Sequence, residues 1–227
     1  DVLEEYVRPA RVVEAGRVVV KEALSEIEPI DIEGVGTLEA FNTDGLRSLA
    51  VTLDVPFMRE RTLRYPGHAA LMRALRDTGL LSLEPVEVGG ATVRPRDLLA
   101  KLLFPKWTYA DGEEDLTVMR VVVEGTMAKS RTVFSWELFD QLDRSTGFSS
   151  MSRTTAFPAT SVGRMMLDGT IRAEGLFAPE QLQPLGPILD RILKELRAHG
   201  IEYRASVERM SEPTRAKKRG TKSTERR

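Results

Sequence analysis

Two short alternations of apolar and polar residues, ARVVE at 10–14 and RVVVK at 17–21, flank Ala15-Gly16 and predict a β-hairpin across 8–21. TLEAF at 37–41 predicts a further strand that ends in Asn42-Thr43-Asp44-Gly45, whose side chains can cap a short helix starting near Gly45. RERTLRY at 59–65 reads as extended. Pro66-Gly67 then opens a helix with Leu71, Met72 and Leu75 at helical spacing, and Gly79 falls where a helix stop belongs. Gly89-Gly90 separates two apolar runs, as in a hairpin or turn, and RPRDLLAKLLF at 94–104 predicts a helix with proline near its start.

The second half opens after an Asp111-Gly112 turn. LTVMRVVVEG (116–125) and SRTVFSWELFD (130–140) predict adjacent antiparallel strands joined by 126–129. A helix is expected over about 152–167 in spite of Pro158 and Gly163, since proline is tolerated in the first turns and kinks a helix deeper in. Leu185, Leu189, Ile192, Leu193 and Leu196 give an amphipathic helix, and IEYRASVERM at 201–210 a closing strand. Strands interspersed with three or four helices predict an α+β fold, a mixed, largely antiparallel sheet with helices packed on it. The expected organisation is one domain over 1–210 and a disordered basic tail over 211–227. No internal repeat is visible.

Composition narrows the classes. A chain of 227 residues with 41% hydrophobic and 30% charged residues can bury a core and has the balance of a soluble protein. No apolar run approaches the roughly 18–20 residues that span a bilayer, and the charged opening DVLEEYVRPAR is unlike a signal peptide. The first residue is not Met, so a start inside a longer polypeptide, or after processing, is expected. Cysteine is absent, which excludes disulfides, thiolate nucleophiles and cysteine zinc sites. His68 and His199 are too few for a histidine metal site, and the cytoplasm is the simplest compartment. The net charge of −1 hides an asymmetry: residues 211–227 carry seven Lys/Arg against Glu212 and Glu225, so the tail is +5 and the body −6. Such a tail can touch nucleic acid or an acidic surface, but a solvated, disordered terminus is the simpler reading. Elsewhere basic residues alternate with acids, and nucleic acid is not an expected partner.

Three places carry candidate chemistry. RTLRYPGH sets Arg61, Arg64, Tyr65 and His68 at a helix start, where free N–H groups and a partial positive charge favour a carboxylate. Arg64 could clamp that carboxylate, with Tyr65 and His68 orienting an amine or moving a proton. A surface ion pair for Arg64 and a locally bonded His68 explain the same residues. At Asn42-Thr43-Asp44, Asp44 could hold a substrate ammonium and Asn42 its carboxylate, or both could simply cap a helix. Arg153, at the opening of the helix near 152, is a second anion site or an arginine paired with a nearby acid. Gly34-Val35-Gly36 is no dinucleotide fingerprint, because position 39 is Glu and a strand follows rather than a helix.

GTLEAFNTDGLRSL (36–49), TLRYPGHAALMRALRDTGLL (62–81) and MSRTTAFPATSVGRMMLDG (151–169) together resemble the saccharopine dehydrogenase-like family. That family includes lysine 6-dehydrogenase, saccharopine reductase and carboxynorspermidine synthase. The opening VLEEYVRPARVVEAGRVVVKEALSE resembles the stretch that follows the family's nucleotide-binding region, and the likeness runs over roughly 1–205. It implies a carboxy-terminal substrate and oligomerisation domain, with NAD or NADP bound mainly by an amino-terminal Rossmann domain missing from this chain. The implied reaction is oxidation of a carbon–nitrogen bond on an amino acid of the lysine or saccharopine type, by a homo-oligomer, with the chain inactive alone. A non-catalytic binding or scaffold module of the same fold is the alternative. Within the matching motifs, Arg64 is the expected carboxylate ligand, Tyr65 and His68 its orienting or proton-handling neighbours, and Asn42, Asp44 and Arg153 further substrate-binding candidates.

Overall fold

The computed structural model describes residues 2–210, and its fold is α+β, with small antiparallel sheets and, among the described residues, five α-helices. The basic segment 211–227 lies outside the described residues. The chain divides into two compact units. One consists of residues up to Asp111 together with Gly175–Leu182, the other of Gly112–Glu174 together with residues from Gln183 onward.

In the first unit β1 (Ala10–Glu14) and β2 (Arg17–Lys21) form the expected hairpin, with Ala10 opposite Lys21 and Glu14 opposite Arg17. Ala15 (φ 48°) and Gly16 (φ 73°) are both left-handed, the conformation with which a two-residue turn follows the twist of its strands. A strand that the pattern did not predict, β3 (Glu28–Ile32), pairs with β4 (Gly36–Asn42). Its Pro29 and Asp31 obscure the alternation. Because β3 lies at the edge of its sheet, a proline without an N–H is tolerated there. The short helix α1 (Leu49–Thr52) begins later than the Gly45 region. The extended run 59–65 is preceded by β5 (Phe57–Met58), which joins β1, and contributes β6 (Arg61–Arg64), which joins β4; the resulting sheets have the orders β2-β1-β5 and β3-β4-β6. Then come α2 (His68–Asp77), the hairpin β7 (Val86–Val88) and β8 (Ala91–Val93) about Gly89-Gly90, and α3 (Pro95–Trp107).

What fixes this unit is a core that gathers distant segments. A 3-10 turn over Val2–Tyr6 sends Leu3 and Tyr6 inward against Leu24, Phe41, Met72 and Leu81. Each large side chain removed from water contributes about 1.5–3 kcal/mol. Phe41 on β4 and Met72 on α2 therefore hold the helix against its sheet, and the residues at the helix start are placed by that packing.

The second unit is built on a long hairpin. β9 (Leu116–Met127) and β10 (Ser130–Gln141) pair over their full length, Met127 opposite Ser130 and Leu116 opposite Gln141. Ala128 (φ 50°) and Lys129 (φ 67°) make the turn without glycine. The helix α4 (Ser150–Leu167) runs on through Pro158. α5 (Leu185–Ala198) packs with it, and β11 (Tyr203–Met210) completes the sheet order β11-β10-β9. Leu138, Leu196 and Ile201 form the core with Phe157, Ile192 and Tyr203 against them. The buried stripe of α5 includes Ile188 and Leu196, whereas Leu185 and Leu189 are exposed.

Candidate functional site

Alternation along β6 decides which side chains meet. Thr62 lies opposite Phe41 and Arg64 opposite Glu39, so these four share the face that carries the Phe41 core. On that face the 3-10 turn brings in Glu5 and Tyr6. Arg64 Nη2 donates to Glu5 Oε1 at 3.1 Å and Oε2 at 3.4 Å, and Nη1 donates to the Leu63 carbonyl at 2.9 Å. Thr43 Oγ1 donates to Glu60 Oε2 at 2.6 Å and lies 2.8 Å from Thr62 Oγ1, and Gly45 N also donates to Glu60 Oε2 at 3.0 Å. A β-carbon at Gly45 would collide with that Glu60 side chain, so glycine permits the close approach.

The start of α2 has its own carboxylate. Gly67, left-handed at φ 94°, has no side chain with which to cap the helix, and Glu39 fills that role from β4. Its Oε1 accepts from Gly67 N at 2.8 Å and its Oε2 from Ala69 N at 3.1 Å. The helix-start N–H groups that the sequence offered to a ligand are thus held by a residue of the chain. His68 Nε2 lies 2.9 Å from Tyr6 Oη, with the rings 5.4 Å apart. Burial, and then the Arg64 guanidinium, push His68 below its ordinary range while Glu39 opposes them. Burial raises Tyr6, and it also raises Glu5 although Arg64 and Thr62 pull the other way. Tyr65, at the bend between β6 and α2, is exposed.

The other candidates are placed differently. Asn42, wholly buried at the end of β4, donates through Nδ2 to Ser25 Oγ at 3.0 Å and Glu26 Oε2 at 3.1 Å, which fastens the 22–27 turn to the sheet. Asp44 takes a two-point contact from Arg11, 2.8 Å from Nε and 3.0 Å from Nη2, and a third bond from Arg11 N; these contacts lower its pKa. Arg153 belongs to the second unit. It is buried in the first turn of α4, with Nη2 on Asp140 Oδ1 at 3.2 Å and on the His199 carbonyl at 2.9 Å, and Nη1 on Asp143 Oδ2 at 2.9 Å. Arg64 and His68 are therefore together, Tyr65 is exposed between them in sequence, Asn42 and Asp44 lie at and beyond the end of the neighbouring strand, and Arg153 is in the other unit.

Glu5, Tyr6, Glu39 and Glu60 were not anticipated. Alternation in RERTLR would have grouped Glu60, Thr62 and Arg64 on one face, but nothing local points to residues 5 and 6. Gly34-Val35-Gly36 proves to be the turn between two antiparallel strands, with Gly34 at φ 78° and Gly36 at φ 102°. It presents no helix start to a pyrophosphate, and these residues do not fit a dinucleotide. Among the described residues no group of three or more His, Cys, Asp or Glu could hold a metal, and no helix is long and apolar enough to cross a membrane. A separate cavity of about 340 Å³ lies over β1 and β5, lined by residues such as Val12, Phe57 and Met58, and does not include the Arg64 cluster.

The family model described as the saccharopine dehydrogenase C-terminal domain matches residues 1–201. The chain is 35% identical over 141 residues to alpha-aminoadipic semialdehyde synthase, mitochondrial, of Bos taurus, covering 60% of this chain and 14% of that protein. It is 28% identical over 126 residues to saccharopine dehydrogenase [NADP(+), L-glutamate-forming] of Schizosaccharomyces pombe, covering 55% and 27%. Carboxynorspermidine synthase of Vibrio alginolyticus is 29% identical over 136 residues, covering 57% and 31%. The chain thus matches less than a third of the length of each of these relatives.

Proposed function

The chain belongs to the saccharopine dehydrogenase C-terminal domain family, and from that premise we propose that it is the substrate-binding portion of an NAD(P)-dependent oxidoreductase acting on a carbon–nitrogen bond of a lysine- or saccharopine-type amino acid. The observation that carries the reading is the Glu5–Arg64 pair, which is partly exposed and sits beside Tyr6 and His68. An amino acid carries a carboxylate and an ammonium on one carbon. Arg64 and Glu5 offer the opposite charges side by side, and a charge-assisted contact to each fixes both position and orientation.

Roles follow from chemistry. Arg64 binds the substrate carboxylate. Glu5, which shares Arg64 in the free protein, takes the substrate ammonium as its replacement counter-charge when the carboxylate engages Arg64. His68 stays neutral near neutral pH and accepts a proton, with Tyr6 Oη as its hydrogen-bonded neighbour. Tyr65 flanks the opening. Asn42 and Asp44 serve the site by fixing the end of β4 and the loop after it, and Arg153 organises its own unit. In this reading NAD or NADP is held outside these residues, and the working enzyme is a homo-oligomer.

The test is an assay of the full-length enzyme with L-lysine, saccharopine and NAD or NADP, comparing the wild type with Arg64→Ala. Loss of a bidentate carboxylate contact is expected to raise KM about 10- to 100-fold. If no amino acid reduces either cofactor, the enzymatic reading fails. An Arg64→Ala enzyme with unchanged KM and kcat would show that the substrate sits elsewhere.

A further inference from the structure

The cavity of about 340 Å³ over β1 and β5 is built by strand alternation. Phe57 stands opposite Glu14 and Met58 opposite Val13, so Val12, Glu14 and Phe57 share one face of the sheet, and Arg59 takes the next position on it. Val13 and Met58 pack on the other side with Leu46 and Ala50. The turn between β1 and β2 is tied across the end of the sheet, where Gly16 N donates to the Pro56 carbonyl at 2.9 Å. Val12 is buried, whereas Phe57, which also lines the cavity, is 71% exposed and leaves an aromatic ring without cover.

Charges of both signs ring this apolar floor. Glu26 reaches the cavity from the 22–27 turn with its backbone in the left-handed region, at φ 53°, which a residue bearing a β-carbon adopts at a cost. Two contacts hold its carboxylate: Asn42 Nδ2 donates to Oε2 at 3.1 Å, and Lys21 Nζ lies 3.1 Å from Oε1. Lys21 also pairs with Glu14 at 2.8 Å, and Arg61, 3.8 Å from Glu26 Oε2, is taken by Glu28. Arg59 is held less tightly. Its Nη1 stands 3.9 Å from Glu26 Oε2, beyond hydrogen-bond distance, and its side chain is 59% exposed. Glu14 and Glu26 thus balance Lys21 and Arg59. A ligand of single charge would leave one charge uncompensated there, whereas a zwitterion adds none.

We infer that this cavity binds a free α-amino acid with an apolar side chain, its carboxylate on Arg59, its ammonium at Glu14 and its side chain against Phe57 and Val12. The volume lies at the lower end of ligand cavities, which suits one small molecule. Arg59 presents a planar fork that matches a carboxylate. Glu14, with 43% of its side chain exposed beside Lys21, has room to accept from an ammonium. Phe57 gives an apolar side chain an aromatic face to cover. The amino acid held here differs from the proposed substrate, whose side chain is charged, and the site does not rest on the Arg64 reading.

Isothermal titration calorimetry of the full chain with L-phenylalanine as the probe tests it. Saturable binding with Kd below about 1 mM is expected, and weaker binding overturns the inference. Arg59→Ala should weaken that binding about 10- to 100-fold, and Phe57→Ala about 10-fold. Both side chains are exposed, so the variants keep the fold, which thermal melts verify. 3-Phenylpropanoate, which lacks the ammonium, and phenethylamine, which lacks the carboxylate, should each bind at least about 10-fold more weakly than phenylalanine. Either one binding as tightly overturns recognition of a zwitterion. Arg64→Ala should bind phenylalanine as the wild type does. Loss of binding in that variant, with Arg59→Ala unaffected, would place the ligand in the Arg64 cluster and overturn the cavity as its site, while leaving the substrate reading to its own assay.

Discussion

Helices α2 and α4 begin in the same way and serve different ends. Each has a carboxylate from elsewhere in its own unit on the free N–H groups of its first turn: Glu39 on Gly67 and Ala69, Asp115 on Ser150 and Met151. At α4 the arrangement is closed. Ser149 caps the helix with its own side chain, and Asp115, Asp140 and Arg153 are only 7%, 5% and 6% exposed. Ser150 Oγ lies 2.8 Å from both Thr117 Oγ1 and Asp140 Oδ2, so charges and hydroxyls satisfy one another without solvent. At α2 the cap is a glycine, Glu39 and Arg64 are partly exposed, and Arg64 is paired with a carboxyl whose charge burial disfavours. A helix start rich in charge is thus a lock where its buried carboxylates are held by the chain's own donors, as Asp115 and Asp140 are here, and a candidate ligand site where the pairing is open to water.

The largest expected contrast comes from Arg153→Ala. Removing it leaves Asp140 and Asp143 facing each other's charge with Asp140 buried, and should cost about 3–5 kcal/mol in urea denaturation of the full chain. Loss below about 1 kcal/mol would mean that the α4 start is not the closed lock its burial indicates. Next, Asp115→Ala and Glu39→Ala remove the same kind of cap. The buried Ser150 N–H loses its acceptor in the first case, for about 2–3 kcal/mol, whereas Glu39 is itself partly exposed and water can take its place at the exposed Gly67 N–H, for about 1 kcal/mol. Equal losses would erase the distinction between the two helices.

The smallest effect is a pH dependence that belongs to α2. His68 has its pKa lowered on folding, so below its unfolded value of about 6.5 the unfolded chain binds more protons. Its contribution is present above that value and is lost as pH falls through the lower folded one. Melting temperature should therefore fall as the solution is acidified from about pH 7 to about pH 5, and His68→Gln should flatten the slope. An identical slope in the variant would show that His68 does not titrate differently on folding.

The contrast was only half visible in the sequence. Asn42-Thr43-Asp44, RTLRYPGH and the 151–169 segment stood out as polar stretches running into helical patterns, and the hairpins at Ala15-Gly16 and Gly89-Gly90 declared themselves by their turn residues. The Ala128-Lys129 turn carried no such signal, since neither residue favours a positive φ. Partners were the harder matter. Glu5 reaches Arg64 across 59 positions and Asp115 reaches Ser150 across 35, distances at which no local spacing rule operates.

By itself the sequence determined the α+β class, most of the elements and the family, because periodicity, turn chemistry and motif wording are local properties. Only the tertiary structure decided which charges are already paired. Burial and pairing depend on what the core draws together, and it is the packing of Tyr6 and Phe41 that brings Glu5 to Arg64, just as the β10 sheet brings Asp140 to Arg153.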